Sequence, residues 1–166
     1  MIYMRSNHGF SMVELIIVIA VMAILAGALA PTLIKYVNKS RIASDLDSAD
    51  TLAKAAQLAV VDHEVAKYIF TQSMPFSIDV QDLDATHSPY EELLLENIGS
   101  IPKVKYTKNN AQSFMITVVE RDAAQHAYAV EITVVGAPVT SQSGLAANPN
   151  GVGAMLYPEV DDAYKQ

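Results

Sequence analysis

The chain has 166 residues, no cysteine and a formal net charge of −7. That balance excludes a disulfide-stapled framework and argues against a nucleic-acid surface resting on bulk positive charge. Hydrophobic residues make up 51% of the chain, and much of the excess lies in one run near the N-terminus.

Residues 1–9 read as a polar leader, with Arg5, Ser6, Asn7 and His8 and no periodic pattern. Leu15 to Ile34 then reads LIIVIAVMAILAGALAPTLI, twenty residues in which only Thr32 is polar. As a helix this run rises about 30 Å, enough to cross a bilayer core. A soluble helix that is apolar on every face needs a large protein around it. The 132 residues beyond Ile34 cannot supply one, so the run reads as a membrane helix. Glu14 stands at its head and is the last charge before Lys35. A carboxylate there carries a desolvation cost that a neutral residue would avoid. Ala28-Leu29-Ala30 has the pattern of a secretory cleavage site. Pro31 directly after it is a poor context for that cut, and Arg5 is a thin basic region. A secreted domain cut after Ala30 and an anchored binding domain that never polymerises remain as alternatives.

The stretch Gly9-Phe10-Ser11-Met12-Val13-Glu14-Leu15 resembles the prepilin signature of type IV pilins and pseudopilins. The resemblance covers residues 1 to about 60 and is most specific over 9–31. It implies that a prepilin peptidase/methyltransferase cuts after Gly9 and N-methylates Phe10, and that the apolar run is kept. It also implies a homo-oligomeric helical filament, drawn from the membrane by an assembly platform and its ATPase. Glu14 would pair with the Phe10 amine of a neighbouring subunit, while Ser11 and Met12 carry no such specific role. Pro31 stands where the family has a proline. Gly27 and Pro31 lie one turn apart and lower helix propensity; the resemblance makes them a site of kinking or melting. The implied fold is α+β and pilin-like, a long N-terminal helix packed on a small antiparallel sheet. The division is a leader over 1–9, a transmembrane and assembly helix over 10–34, and an exported globular domain over 35–166. The family implies residence in the cell membrane before assembly and in an extracellular pilus afterwards. Lys35, Lys39 and Arg41 follow the run and by charge alone would favour the opposite orientation, but long domains translocate largely regardless of such charges. Many Gram-negative pilins close their C-terminal region with a disulfide, which this chain cannot do. Pilus and pseudopilus share the signature, so a pseudopilin of a secretion or DNA-uptake system stays open.

Beyond the run, the spacing predicts helix to about Phe70. Ile42, Leu46, Ala49, Ala53, Ala56, Val60 and His63 form a stripe of mostly small residues, with Asp45, Asp47 and Asp50 off it. From residue 10 that helix would be about 90 Å long. Thr71 to His87 reads as a linker. Its Asp79, Asp82 and Asp84 lack the spacing of a calcium loop and read as a solvated cluster. Ser88-Pro89-Tyr90-Glu91 is a capping box opening a helix to about Asn97, with Gly99 as its stop. Three strands are expected, at Pro102–Lys108, Ser113–Glu120 and His126–Val135, forming a meander with one buried side. Asn109-Asn110 is the first turn signal. Gly136 to Gln166 reads as an irregular tail with a short strand at Val152–Tyr157. No nucleophile context, phosphate loop or metal-spaced histidine pair is legible. The reading is therefore of a structural protein, with no enzyme activity, no cofactor and no bound metal.

Overall fold

The computed structural model describes residues 9–107, 112–122, 127–136 and 153–165. The chain divides into two compact units, Met1–Asn38 and Lys39–Gln166. Helix α1 runs Met12–Val61 and α2 runs His63–Phe70. Strand β1 is Phe76–Asp79, α3 is Pro89–Ile98, β2 is Ser113–Asp122, β3 is Ala127–Val135 and β4 is Gly153–Tyr157. The four strands form one antiparallel sheet in the order β1-β2-β3-β4. This is an α+β, pilin-like arrangement, a long N-terminal helix with a small antiparallel sheet against it.

In the second unit, the sheet's inner face alternates as a half-buried strand should. Phe114, Ile116 and Val118 of β2 stand opposite Val134, Ile132 and Val130 of β3, and all are buried. They share one core with Ala49, Leu52, Ala53, Ala56 and Ala59 of α1. Small side chains on the helix let the sheet come close, while the strands supply bulk. Each buried branched residue contributes about 1.5–3 kcal/mol. Tyr68 of α2 meets Phe76 edge-on at 6.3 Å, and Phe76 meets Tyr90 of α3 at 5.9 Å, so three elements share one aromatic contact.

Four expectations need correction. The helix does not run unbroken to Phe70. Asp62 adopts extended backbone and its carboxylate caps α2, accepting from the N–H groups of Glu64 (2.9 Å) and Val65 (3.2 Å). A short polar side chain that bonds the following backbone competes with helix continuation, and His63 consequently lies exposed rather than on the stripe.

Residues 101–107 are not a strand. Their alternating Val104 and Tyr106 suggested one, but their N–H groups have a different partner. Asp45, fully buried, accepts from the N–H of Lys105 and of Tyr106, each at 2.8 Å. The aspartate placed off the stripe is therefore at its centre, clamping a loop to the helix. The N-terminal edge strand of the sheet comes instead from inside the expected linker, at Phe76–Asp79. There Asp79 caps the Val80–Asp82 turn and accepts from Ser113 Oγ at 2.6 Å.

The sheet also gains a fourth strand from the tail, close to the expected Val152–Tyr157. Its second face is not simply solvated: Ser113, Thr117, Glu131 and Thr133 on that side are buried as well. Asn109-Asn110, residues 123–126 and residues 137–152 lie outside the described residues. The α3 reading holds, with Ser88 Oγ accepting from Glu91 N–H (3.2 Å) and Gly99 ending the helix at φ 65°.

Burial pushes the carboxyl groups of Asp45 and Glu131 above the usual carboxylate range. They differ in partners. Two main-chain N–H groups and nearby Lys105 hold the Asp45 charge. Glu131, 5% exposed, has an Oε1 with no hydrogen bond among the described residues, and only Arg121 opposes its burial. Asp45→Ala is expected to cost about 2–4 kcal/mol, because the buried Tyr106 N–H and the part-buried Lys105 N–H both lose their acceptor. Glu131→Gln is expected to stabilise by about 1 kcal/mol at neutral pH. A raised carboxyl pKa makes the charged form a cost above it, so that gain should vanish as pH falls below about 4.3. Denaturant unfolding of the full chain in detergent at both pH values measures both effects.

Candidate functional site at the N-terminus

The first unit offers a short irregular segment and the start of α1. Gly9, Phe10 and Ser11 are non-helical and exposed, and Met12 begins the helix. Phe10 is 90% exposed. A side chain built on Gly9 would meet nothing within 4 Å. Among the described residues, the Gly9–Phe10 bond is therefore exposed, in a segment free of regular structure.

Ser11 and Glu14 form a reciprocal cap. Ser11 Oγ accepts from Val13 N–H at 3.3 Å, and Glu14 Oε2 accepts from Ser11 N–H at 2.9 Å. The Ser11 carbonyl accepts from Leu15 N–H at 3.2 Å, closing the first turn. The S-x-x-E spacing is a capping box, which satisfies two donors that a helix start otherwise leaves free. The carboxylate also lies at the positive end of the helix dipole. Sequence reasoning gave Ser11 no role, although the spacing that exposed the box at Ser88 is present here too.

From Leu15 to Ile34 no charged residue occurs, and every residue is exposed. The helix is long and apolar enough to cross a membrane. Pro31 lies inside it. A proline has no N–H to offer the carbonyl four residues back, and here that carbonyl belongs to Gly27. The two residues singled out separately thus share one missing bond. Gly27 has open space around it. Thr32 Oγ1 donates to the Leu29 carbonyl at 2.7 Å, so a side chain bonds to the backbone within the same turn. The helix is continuous across the whole stretch.

Residues 4–30 match the family model of the prokaryotic N-terminal methylation motif. The chain carries the hallmark of the type IV pilin and pseudopilin prepilins. No curated protein and no solved structure matches the chain. The matched segment contains the Gly9–Phe10 junction, the Ser11–Glu14 cap and the apolar run as far as Ala30. Pro31 directly follows it. Processing by a prepilin peptidase and anchoring by the apolar helix before assembly follow from the motif.

Among the described residues no group of three potential ligands is placed to hold a metal ion. Asp79 and Asp84 are occupied locally, Asp84 Oδ1 accepting from both the N–H and the hydroxyl of Thr86 at 2.9 Å. Ser11→Ala is expected to loosen the first turn of α1 by about 1 kcal/mol. Hydrogen exchange at Val13, Glu14 and Leu15 in the detergent-bound precursor reads this directly, with exchange beyond Pro31 unchanged.

Proposed function

We propose that the chain is a structural, non-enzymatic subunit of a type IV pilus filament. The peptidase cuts after Gly9, Phe10 becomes the N-methylated first residue, and the mature subunit waits in the membrane on residues 15–34. An assembly platform and its ATPase then draw it into a helical homopolymer, and the globular domain becomes extracellular filament surface. The observation that carries this reading is the junction itself. An open, irregular Gly9–Phe10 bond stands directly ahead of a capped, charge-free helix with no cover on any face. Such a helix needs either lipid or copies of itself around it.

In the filament, Glu14 pairs with the Phe10 amine of a neighbour. A carboxylate in apolar surroundings is tolerable only when partnered. Its bond to Ser11 N–H supports one oxygen, and the ammonium of another subunit completes the second. Gly27 and Pro31 lower the cost of local melting where subunits crowd. An envelope protein with the same processing but a short fibre, a pseudopilin, shares every step except the length of the polymer.

Intact mass and N-terminal sequencing of the mature protein should show N-methyl-Phe10 as the first residue. Recovery of intact Met1 from the envelope would remove this reading, and recovery of Pro31 would favour a secreted domain. Gly9→Ala is expected to leave the precursor's thermal unfolding unchanged, because nothing surrounds that Cα, yet to block cleavage. Glu14→Ala is expected to keep cleavage and insertion while abolishing filaments visible by electron microscopy. Long surface pili from the unmodified chain distinguish a pilin from a pseudopilin.

A further inference from the structure

Strand β2 changes register with β3 between Glu120 and Asp122, so Arg121 sits at a β-bulge. Regular alternation from Phe114, Ile116 and Val118 would give the inner face to Glu120 and the opposite face to Arg121. Bulges re-aim side chains. Here Arg121 lines a cleft of about 370 Å³ together with Tyr128 and Val130, which belong to the inner face. Val60, Val61, Ala129, Tyr157 and Pro158 also line it. Gln57, also in the lining, donates through Nε2 to Tyr157 Oη at 2.8 Å. That bond uses the tyrosine oxygen as acceptor and leaves its O–H as a donor.

Among the described residues, Arg121 makes no hydrogen bond and no ion pair. Other cations of this unit are engaged: Lys54 with Asp50, Lys67 with Glu64, Lys165 with Asp162, and Lys105 with Ser44 Oγ. Two carboxylates lie near the cleft. Glu120 is exposed and acts on Tyr128, and Glu131 on the opposite sheet face acts on Arg121. Neither closes on the guanidinium. The cleft therefore combines apolar walls, two tyrosines and a planar fork of donors with no ion pair among the described residues.

We propose that this cleft is a binding site for a carboxylate carried on a short apolar body, the carboxylate held by Arg121 and the Tyr157 hydroxyl. Its size suits one small organic acid or one acidic side chain. A guanidinium recognises a carboxylate through two parallel bonds, which a point charge cannot reproduce. The walls of Val60, Val130 and Pro158 take the apolar stem.

The test uses the full chain in detergent, isotope-labelled and followed by NMR. It is titrated with 3-phenylpropionate and separately with uncharged 3-phenylpropanamide. The acid should produce saturable shifts at Val60, Val130 and Tyr157. The amide, and the acid against Arg121→Gln, should bind at least roughly tenfold more weakly. Arg121→Lys keeps the charge without the fork and should fall between, which decides the matter even if the glutamine variant folds poorly. Absence of saturable shifts, equal affinity for acid and amide, or indifference to Arg121 replacement would overturn the assignment. Repeating the titration on assembled filaments separates two natural sources. Exclusion of the probe identifies a neighbouring subunit's carboxylate as the occupant, and uptake identifies a free acid; either outcome supports the site. The detergent titration does not require polymerisation, so its failure is distinct from failure of the filament reading.

Discussion

Glu14 and Asp45 lie on the same helix, and each secures its charge with main-chain N–H groups. Glu14 takes the Ser11 N–H at the head of the apolar run, and Asp45 takes those of Lys105 and Tyr106 inside the globular unit. A carboxylate removed from water demands such partners. The demand has opposite structural results. At Glu14 it starts a helix, because the donor is three residues back in the same chain. At Asp45 it fastens a distant loop, because the donors lie sixty and sixty-one residues away. One helix thus carries two carboxylates, each bonded to main-chain N–H groups, one within its own first turn and one far along the chain.

The Asp45 clamp also helps explain how a cysteine-free domain keeps its irregular segments in place. Tyr106, held by the clamp, meets Tyr164 of the C-terminal Asp162–Tyr164 turn edge-on at 5.6 Å. Both rings are buried. Burial and the nearby Asp45 charge push the Tyr164 phenol far above its usual range, so it stays neutral. The loop and the chain end are therefore tied to the helix by one carboxylate and one ring pair. A disulfide would constrain the unfolded chain. This arrangement instead stabilises only the folded one, which makes it sensitive to a single substitution.

Much of this was legible from residues. The charge-free run, the α3 capping box, β2 and β3 all follow strong local patterns, and local patterns are what a sequence displays. Three features were not legible for one reason: a side chain outbid the local pattern. Asp62 captured the backbone and ended a helix whose apolar period continues. Asp45 captured the N–H groups of a segment with a strand's alternation. Asp79 ordered a stretch whose Ser, Asp and Gln content reads as linker. Polar residues were judged by where polar residues usually lie, yet each of these is defined by the donor it meets. The cap at Ser11 is a different failure, since its spacing was in plain view. The cleft was beyond reach, because the bulge that places Arg121 at its edge depends on the pairing of β2 with β3.

The Ser11–Glu14 cap bears on how cleavage and assembly are ordered. On the proposed cleavage after Gly9, the Phe10–Ser11 peptide stays intact, so the N–H that Glu14 holds would survive and the same cap would be available to precursor and product. The proposed cut would place an amine one residue ahead of the cap, close in sequence to a carboxylate whose Oε2 takes the Ser11 N–H. On the filament reading, the other oxygen of Glu14 is the acceptor that the amine of a neighbouring subunit would use, which gives the two oxygens separate tasks.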